Sequence, residues 1–295
     1  MTTSAQVLVT NDDGNQAAGI RSLTAALVAS GLSVVVVSPR ENQSGTSHFA
    51  KFNAPVQVAK MPDRDGAQLY VCDGTPVDCV RSAVIGDIAP DVEVVVSGIN
   101  HGCNFGDDTL GSGTFGGAAQ GALLGLPAIA FSQQSYRGQF SIFDVVDHST
   151  LDFGDAARAA AMFVHALLDY GAPDRAVLNV NLPAVLSDPR AEVTVGGRRH
   201  WARNAIAPVE RDGVTGYLTF GSREQPDAPW QTLKFEPGSD MAAVAAGRVS
   251  ASPLSFAWED QAPGLSLIPW ATKIADAVNQ QLANPRRGEP GSATP

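Results

Sequence analysis

The sequence predicts a doubly wound α/β fold with a mostly parallel sheet, and three observations predict it. Short β-rich runs alternate with helix-period segments through the first half of the chain. Residues 32–37 (LSVVVV) are apolar at nearly every position, as a strand covered on both faces requires. Between about 191 and 255 the pattern changes to short alternating runs broken by Gly, Pro and Asp, the signature of hairpins standing off a main sheet.

Taken in order, residues 6–10 (QVLVT) read as a strand ended by Asn11-Asp12-Asp13-Gly14, a strong turn signal. Ile20, Leu23, Leu27 and Val28 have helical spacing, and Gly31 supplies a stop. After the strand at 32–37, residues 78–88 read as a helix capped by Asp78, 92–96 as a strand, 114–124 as a helix, and 128–131 as a strand after Pro127. A long helix is expected at 152–168 and a strand at 176–181. The runs EVTV, GYLTF, WQTLKF and RVSASPL within 191–255 are expected to form a protruding β-hairpin arm suited to oligomerisation. A C-terminal helix follows at 271–282, and residues 284–295 (NPRRGEPGSATP) read as a disordered tail. The β-α-β rhythm is Rossmann-like, with residues 1–283 as one domain, and it puts ligands outside the carboxyl ends of the strands.

Composition narrows the function. The chain has 295 residues, 44% of them hydrophobic, enough to bury one large core. Its formal net charge of −10 repels a polyanion, so no nucleic-acid scaffold is expected. A small phosphorylated ligand stays open, because one divalent cation reverses the local sign. The three cysteines, Cys72, Cys79 and Cys103, form no CxxC pair or zinc spacing and read as reduced thiols. The first residues lack a basic leader, and no apolar stretch reaches the ~20 residues that span a bilayer. A cytoplasmic location with no membrane contact is the expectation.

The chemistry concentrates at the strand ends. Asp12 and Asp13 follow the first strand directly, and two carboxylates ~4 Å apart repel by about 4 kcal/mol at an effective dielectric near 20. Either a hard divalent cation offsets that repulsion or one Asp merely caps a turn. The second strand leads to the polar loop Pro39–Ser47, which contains Ser44, and the strand at 92–96 leads to Asn100, His101 and Asn104. Carboxylates, a hydroxyl and amides at one edge form an all-oxygen set suited to magnesium, manganese or calcium and too hard for structural zinc. Ser112-Gly113-Thr114 opens a helix whose free N–H groups make an anion cradle, or else an ordinary N-cap. No Gly-Lys-Ser/Thr is present and no GxGxxG follows the first strand, which argues against a Walker loop and a dinucleotide oxidoreductase.

The motifs in combination resemble the SurE survival-protein family of 5′/3′-nucleotidases. Asp12-Asp13-Gly14 through Ile20, Gln43-Ser44-Gly45, Gly74-Thr75-Pro76 through Val80, and Ser97-Gly98-Ile99-Asn100 carry the resemblance. So do Gly102 through Gly106, Ser112-Gly113-Thr114, Leu178 through Pro183, and Asp240 through Ser250, in the same order from about Val7 to Pro253. The resemblance implies Asp12, Asp13, Ser44 and Asn100 as ligands of one Mg²⁺ or Mn²⁺ per subunit. It puts Asn104, Ser112, Gly113 and Thr114 at the phosphate, with Asp13 and Asn104 carrying the chemistry. It further implies hydrolysis of nucleoside 5′- and 3′-monophosphates by a homodimer or homotetramer that exchanges C-terminal elements. Ser44 as a nucleophile would need a basic partner, which the sequence does not supply.

Two positions depart from the family pattern. Gln120 stands where Glu is usual, and Ser255 where many members have His. His48 and His101 flank the motifs but read as surface or packing residues, and Trp201, Trp230 and Trp258 read as packing rather than base-stacking residues. The alternatives are a broad acid phosphatase or exopolyphosphatase and, in another class, a low-turnover nucleotide-binding assembly protein.

Overall fold

The computed structural model describes residues 6–140, 151–201, 207–218, 231–256 and 267–283. Its first elements are β1 (Gln6–Thr10), α1 (Ala18–Ala29), β2 (Ser33–Pro39), β3 (Val58–Arg64), β4 (Ala67–Cys72), α2 (Pro76–Val84) and β5 (Val94–His101). After a 3-10 turn (Gly106–Leu110) come α3 (Gly113–Leu123), β6 (Ala128–Gln133), α4 (Gly154–Tyr170), β7 (Ala176–Leu182), β8 (Ala191–Val193) and β9 (Arg199–Trp201). The chain continues with β10 (Ala207–Arg211), β11 (Val214–Leu218), β12 (Gln231–Leu233), α5 (Asp240–Ala245), β13 (Val249–Ser255) and α6 (Ile268–Ala283).

A pleated strand sends alternate residues to opposite faces, so a strand buried on both must be apolar throughout. In β2, Val34 and Val36 join the core layer with α1, α4 and α6, while Val35 and Val37 join the layer with α2 and α3. In β1, Val7 and Val9 face the first layer and Leu8 the second. The nine-stranded sheet runs β3-β4-β2-β1-β5-β6-β7-β13-β8. Strands β4 to β7 of that order are mutually parallel, β3 and β13 pair antiparallel with β4 and β7, and β8 runs parallel to β13. From β1 the chain winds outward to β2 and β4, then crosses to β5 on the other side of β1. That reversal opens a crevice at the carboxyl ends of β1 and β5, where doubly wound folds hold ligands. The α/β expectation therefore stands.

Several expectations change in detail. The hairpin of β3 and β4 is absent from the sequence reading, although its Asp65-Gly66 turn, both residues at positive φ, is a strong hairpin signal. Strand β3 is largely exposed and carries no alternating pattern to reveal it. Helix α2 begins at Pro76, not Asp78. Thr75 is the N-cap, and Asp78 closes a capping box by accepting from Thr75 N–H at 2.9 Å. Strand β5 continues past Val96 to His101, with a register shift between Ser97 and Asn100.

The arm is smaller than the 191–255 segment. Its two ends, β8 and β13, extend the main sheet, because Val249 and Ala251 are fully buried beneath α6 and bind the edge strand. Among the described residues, only β9–β12 and β10–β11 stand as separate antiparallel pairs, and the side chains of Val209, Val214 and Tyr217 on the latter are exposed. The ends of GYLTF and WQTLKF, Trp230, Trp258 and the tail at 284–295 lie outside the described residues. Cys72, Cys79 and Cys103 are free and buried, as expected. No helix among the described residues is long and apolar enough to cross a membrane.

Candidate active site

The turn after β1 is held by its own side chains and by β2. Asn11 Nδ2 donates to Gly14 O at 3.0 Å, and Asn15 donates from N to Pro39 O at 2.8 Å and from Nδ2 to Arg40 O at 3.1 Å. This lacing projects Asp12 and Asp13 into the crevice. Asp12 is buried and Asp13 partly so.

Helix α3 arrives against Asp12. Thr114 Oγ1 donates to Asp12 Oδ1 at 2.5 Å, and the Thr114 N–H also bonds this carboxylate. The close approach requires Gly113, since a Cβ there would sit 2.8 Å from Asp12 Cβ and 2.9 Å from Oδ2. Gly121 serves α3 the same way one level down, where a Cβ would meet Val95 Cβ at 2.6 Å. Ser112 is the N-cap and its Oγ accepts from Phe115 N–H at 3.1 Å. Thr114 is thus turned onto the carboxylate, and Ser112 is committed through Oγ to Phe115 N–H and through its own N–H to Thr109 O at 3.2 Å.

Asp13 is held from two sides. The extension of β5 brings His101 N–H to Asp13 Oδ2 at 3.1 Å, while Asn42 Nδ2 donates to Oδ1 at 3.4 Å. Ser44 enters through the same loop. Its N–H donates to Asn42 Oδ1 at 2.8 Å, and Gln43 N–H donates to Asp12 O at 2.6 Å. Asn100 donates from Nδ2 to Gly102 O at 2.8 Å, which leaves its carboxamide oxygen as the available ligand atom. His101 stacks on Phe153 with ring centroids 5.1 Å apart, a packing role for the ring as expected. His48 is exposed, and burial of part of the ring together with the Arg81 charge lowers its pKa.

The electrostatics match this geometry. Burial, then the charge of Asp13, raises the Asp12 pKa to about 7 against the Thr114 hydrogen bond. Burial raises Asp13 to about 6, against the His101 N–H. A carboxylate pair with one member buried and the other partly so, and with no ion pair to a cationic side chain among the described residues, suits a hard divalent ion, which would restore both charges. Among the described residues no three His, Cys, Asp or Glu side chains converge, so such an ion must complete its shell with neutral oxygens, the type Ser44 and Asn100 offer.

Asn104 belongs to a second network, which the sequence reading did not foresee. Its N–H donates to Asn181 Oδ1 at 2.8 Å, its Nδ2 to Ser132 Oγ at 2.9 Å, and its carbonyl accepts from Asn179 Nδ2 at 2.9 Å and Asn181 Nδ2 at 3.1 Å. The signal was present as two asparagines at i, i+2 in the otherwise apolar β7, which a strand tolerates only if they are bonded. The sequence reading also missed the pair Asp108–Arg199. Arg199 Nε donates to both carboxylate oxygens at 2.6 Å with both side chains nearly inaccessible, clamping β9 to the 3-10 turn. Gln120 is buried in α3, and Ser255 ends β13 opposite Ala176.

Comparison with known proteins identifies the family. The family model described as "Survival protein SurE" matches residues 7–203. The chain is 36% identical over 255 residues to a protein of Aeromonas hydrophila named "5'-nucleotidase SurE", covering 85% of this chain and 92% of that one. A protein of the same name from Stenotrophomonas maltophilia is 36% identical over 278 residues, covering 93% and 99%. The crystal structure of the SurE protein from Aquifex aeolicus superposes with a TM-score of 0.65 at 33% identity, covering 86% of this chain and 95% of that chain. With the family model spanning well over half its length and these relatives matched almost end to end, the chain belongs to the SurE survival-protein family.

Proposed function

We propose that this chain is a metal-dependent phosphomonoesterase that hydrolyses nucleoside 5′-monophosphates, and 3′-monophosphates as well. The observation that carries the reading is the buried Asp12–Asp13 pair facing the α3 N-terminus, in a family whose relatives are named 5′-nucleotidases. Asp12, Asp13, Ser44 and Asn100 would hold one Mg²⁺ or Mn²⁺. When bound, the ion offsets phosphate charge and makes water more acidic.

The chain's own groups do the rest. Asp13, fixed by His101 N–H, orients the attacking water and takes its proton as the new P–O bond forms and the ester P–O bond breaks. The departing nucleoside oxygen takes a proton from solvent. Asn104 and the Ser112–Gly113 end of α3 stabilise the equatorial oxygens. Thr114 aligns Asp12 rather than the substrate.

The test is phosphate release from AMP, GMP, 3′-AMP, p-nitrophenyl phosphate and polyphosphate with magnesium, manganese or EDTA. Release from the nucleotides that EDTA abolishes is expected. Preference for p-nitrophenyl phosphate or polyphosphate would replace the nucleotidase with a broader phosphatase. Binding without release would leave a nucleotide-binding protein.

A further inference from the structure

Beside the Asn104 network opens a cavity of about 290 Å³, just under the ~300–1,000 Å³ of small-molecule pockets. Gly106, Asp107 and Thr109 of the 3-10 turn line one wall, Asn179 and Ser252 of β7 and β13 another, and Arg198 the rim. The cavity is joined to the phosphate cradle through the backbone. Ser112 N–H donates to Thr109 O at 3.2 Å, one turn before α3, while Asn179 donates to Asn104 O. Two of its lining segments meet backbone to backbone, since a Cβ on Gly106 would lie 1.7 Å from Gly197 O.

Most polar groups around it are committed. Asp240 accepts from the N–H groups of Gly106, Gly197 and Met241 at 2.7, 2.8 and 2.7 Å. The Ser252 hydroxyl bonds Thr194 at 2.8 Å, and Thr109 Oγ1 donates to Gly106 O at 2.7 Å. Asp107 differs. It is exposed, and among the described residues it accepts one hydrogen bond, from Arg199 N–H to Oδ2 at 3.2 Å. A carboxylate with acceptor sites to spare, one turn from a phosphate cradle, matches two neighbouring hydroxyl donors on a phosphorylated ligand.

We propose that this cavity receives the sugar of a ribonucleoside monophosphate, with Asp107 accepting hydrogen bonds from the vicinal ribose hydroxyls. The pairing is the one by which an acidic residue holds the ribose 2′-OH in dinucleotide-binding folds. Arg198 at the same rim offsets repulsion between Asp107 and the substrate phosphate. The inference rests on the nucleotidase reading and adds a discrimination, ribose over 2′-deoxyribose.

The experiment compares kcat/KM for AMP and dAMP in the wild type, Asp107→Ala and Asp107→Asn. The wild type should favour AMP by about tenfold or more, the scale of a hydrogen bond to a charged group. In Asp107→Ala the ratio should fall toward one, mainly through KM for AMP. Asp107→Asn keeps an acceptor for Arg199 N–H and should give an intermediate ratio, which guards against simple misfolding. A ratio unchanged between wild type and Asp107→Ala overturns the proposal. Phosphate release from p-nitrophenyl phosphate but from neither nucleotide would sink the nucleotidase reading instead. Calorimetric binding of adenosine and 2′-deoxyadenosine would then decide the cavity by itself, and equal affinities would overturn it.

Discussion

Gly113 and Asp12 are in direct contact. No side chain fits between them, since a Cβ on Gly113 would lie 2.8 Å from Asp12 Cβ and 2.9 Å from its carboxylate oxygen. The contact joins the end of β1 to the start of α3, the two elements that would hold metal and phosphate. Gly113→Val should push them apart by about 1 Å, a displacement that costs ~10²-fold in rate. Nucleotide affinity should fall sharply as well, and wild-type affinity should fall likewise in EDTA. Calorimetric titration of AMP or vanadate with and without manganese checks this, and equal wild-type affinity in both conditions would separate the cation and phosphate sites.

Asp13→Asn should reduce turnover by ~10² to 10⁴-fold while the fold remains intact, because one substitution removes both the proposed metal ligand and the proposed general base. Its melting temperature in EDTA should not fall, since a buried like-charged neighbour of Asp12 is gone. Near wild-type phosphate release at saturating manganese would remove Asp13 from both roles.

Metal-free protein should have a characteristic pH response. Asp12 and Asp13 have folded pKa values of about 7 and about 6, raised from 3.8. A raised carboxyl binds its proton more tightly folded than unfolded, so the stability it contributes is present at low pH and lost as pH rises through the folded value. In EDTA, the contribution of this pair should decline between about pH 4 and pH 7, and Asp12→Asn should flatten that slope. Manganese affinity should show the reverse, rising with pH across the same window as protons are displaced. Melting curves in EDTA and proton release on manganese titration read the two effects.

Arg199→Met should cost about 3–5 kcal/mol in urea unfolding, because it leaves the buried Asp108 without its partner. The double variant Arg199→Met/Asp108→Leu should recover most of that loss. A double variant no better than the single one would assign the effect to lost packing.

The exposed faces of β10 and β11 predict association. A two-stranded hairpin is marginal in water, and Val209, Val214 and Tyr217 remain uncovered in one chain. Solution mass should exceed the 30.7 kDa of the monomer. Val214→Asp with Tyr217→Asp should shift it toward that value, and a wild type that is monomeric at micromolar concentration would defeat the idea.

The sequence by itself determined the parallel strands β1, β2, β5, β6 and β7 of the central sheet and marked Asp12 and Asp13 as candidate ligands. Strands β1, β2 and β7 are apolar runs covered on both faces, and burial of that kind leaves a periodic signature in the chain. The carboxylate pair was legible because Asn11-Asp12-Asp13-Gly14 follows a strand without a gap. Tertiary structure alone decided how those residues are used. Thr114 lies 102 positions from Asp12, and nothing local shows that its hydroxyl serves a carboxylate rather than a phosphate. The clamp of Arg199 on Asp108 and the enclosure of Asn104 by Asn179 and Asn181 depend on strand order in the same way. The exposed β3 and the edge pairing of β8 with β13 carry no hydrophobic pattern of their own, because their partners supply the hydrogen bonds that fix them. Periodicity reports how a residue meets the core, whereas a polar contact between distant segments is fixed only when the whole sheet has assembled.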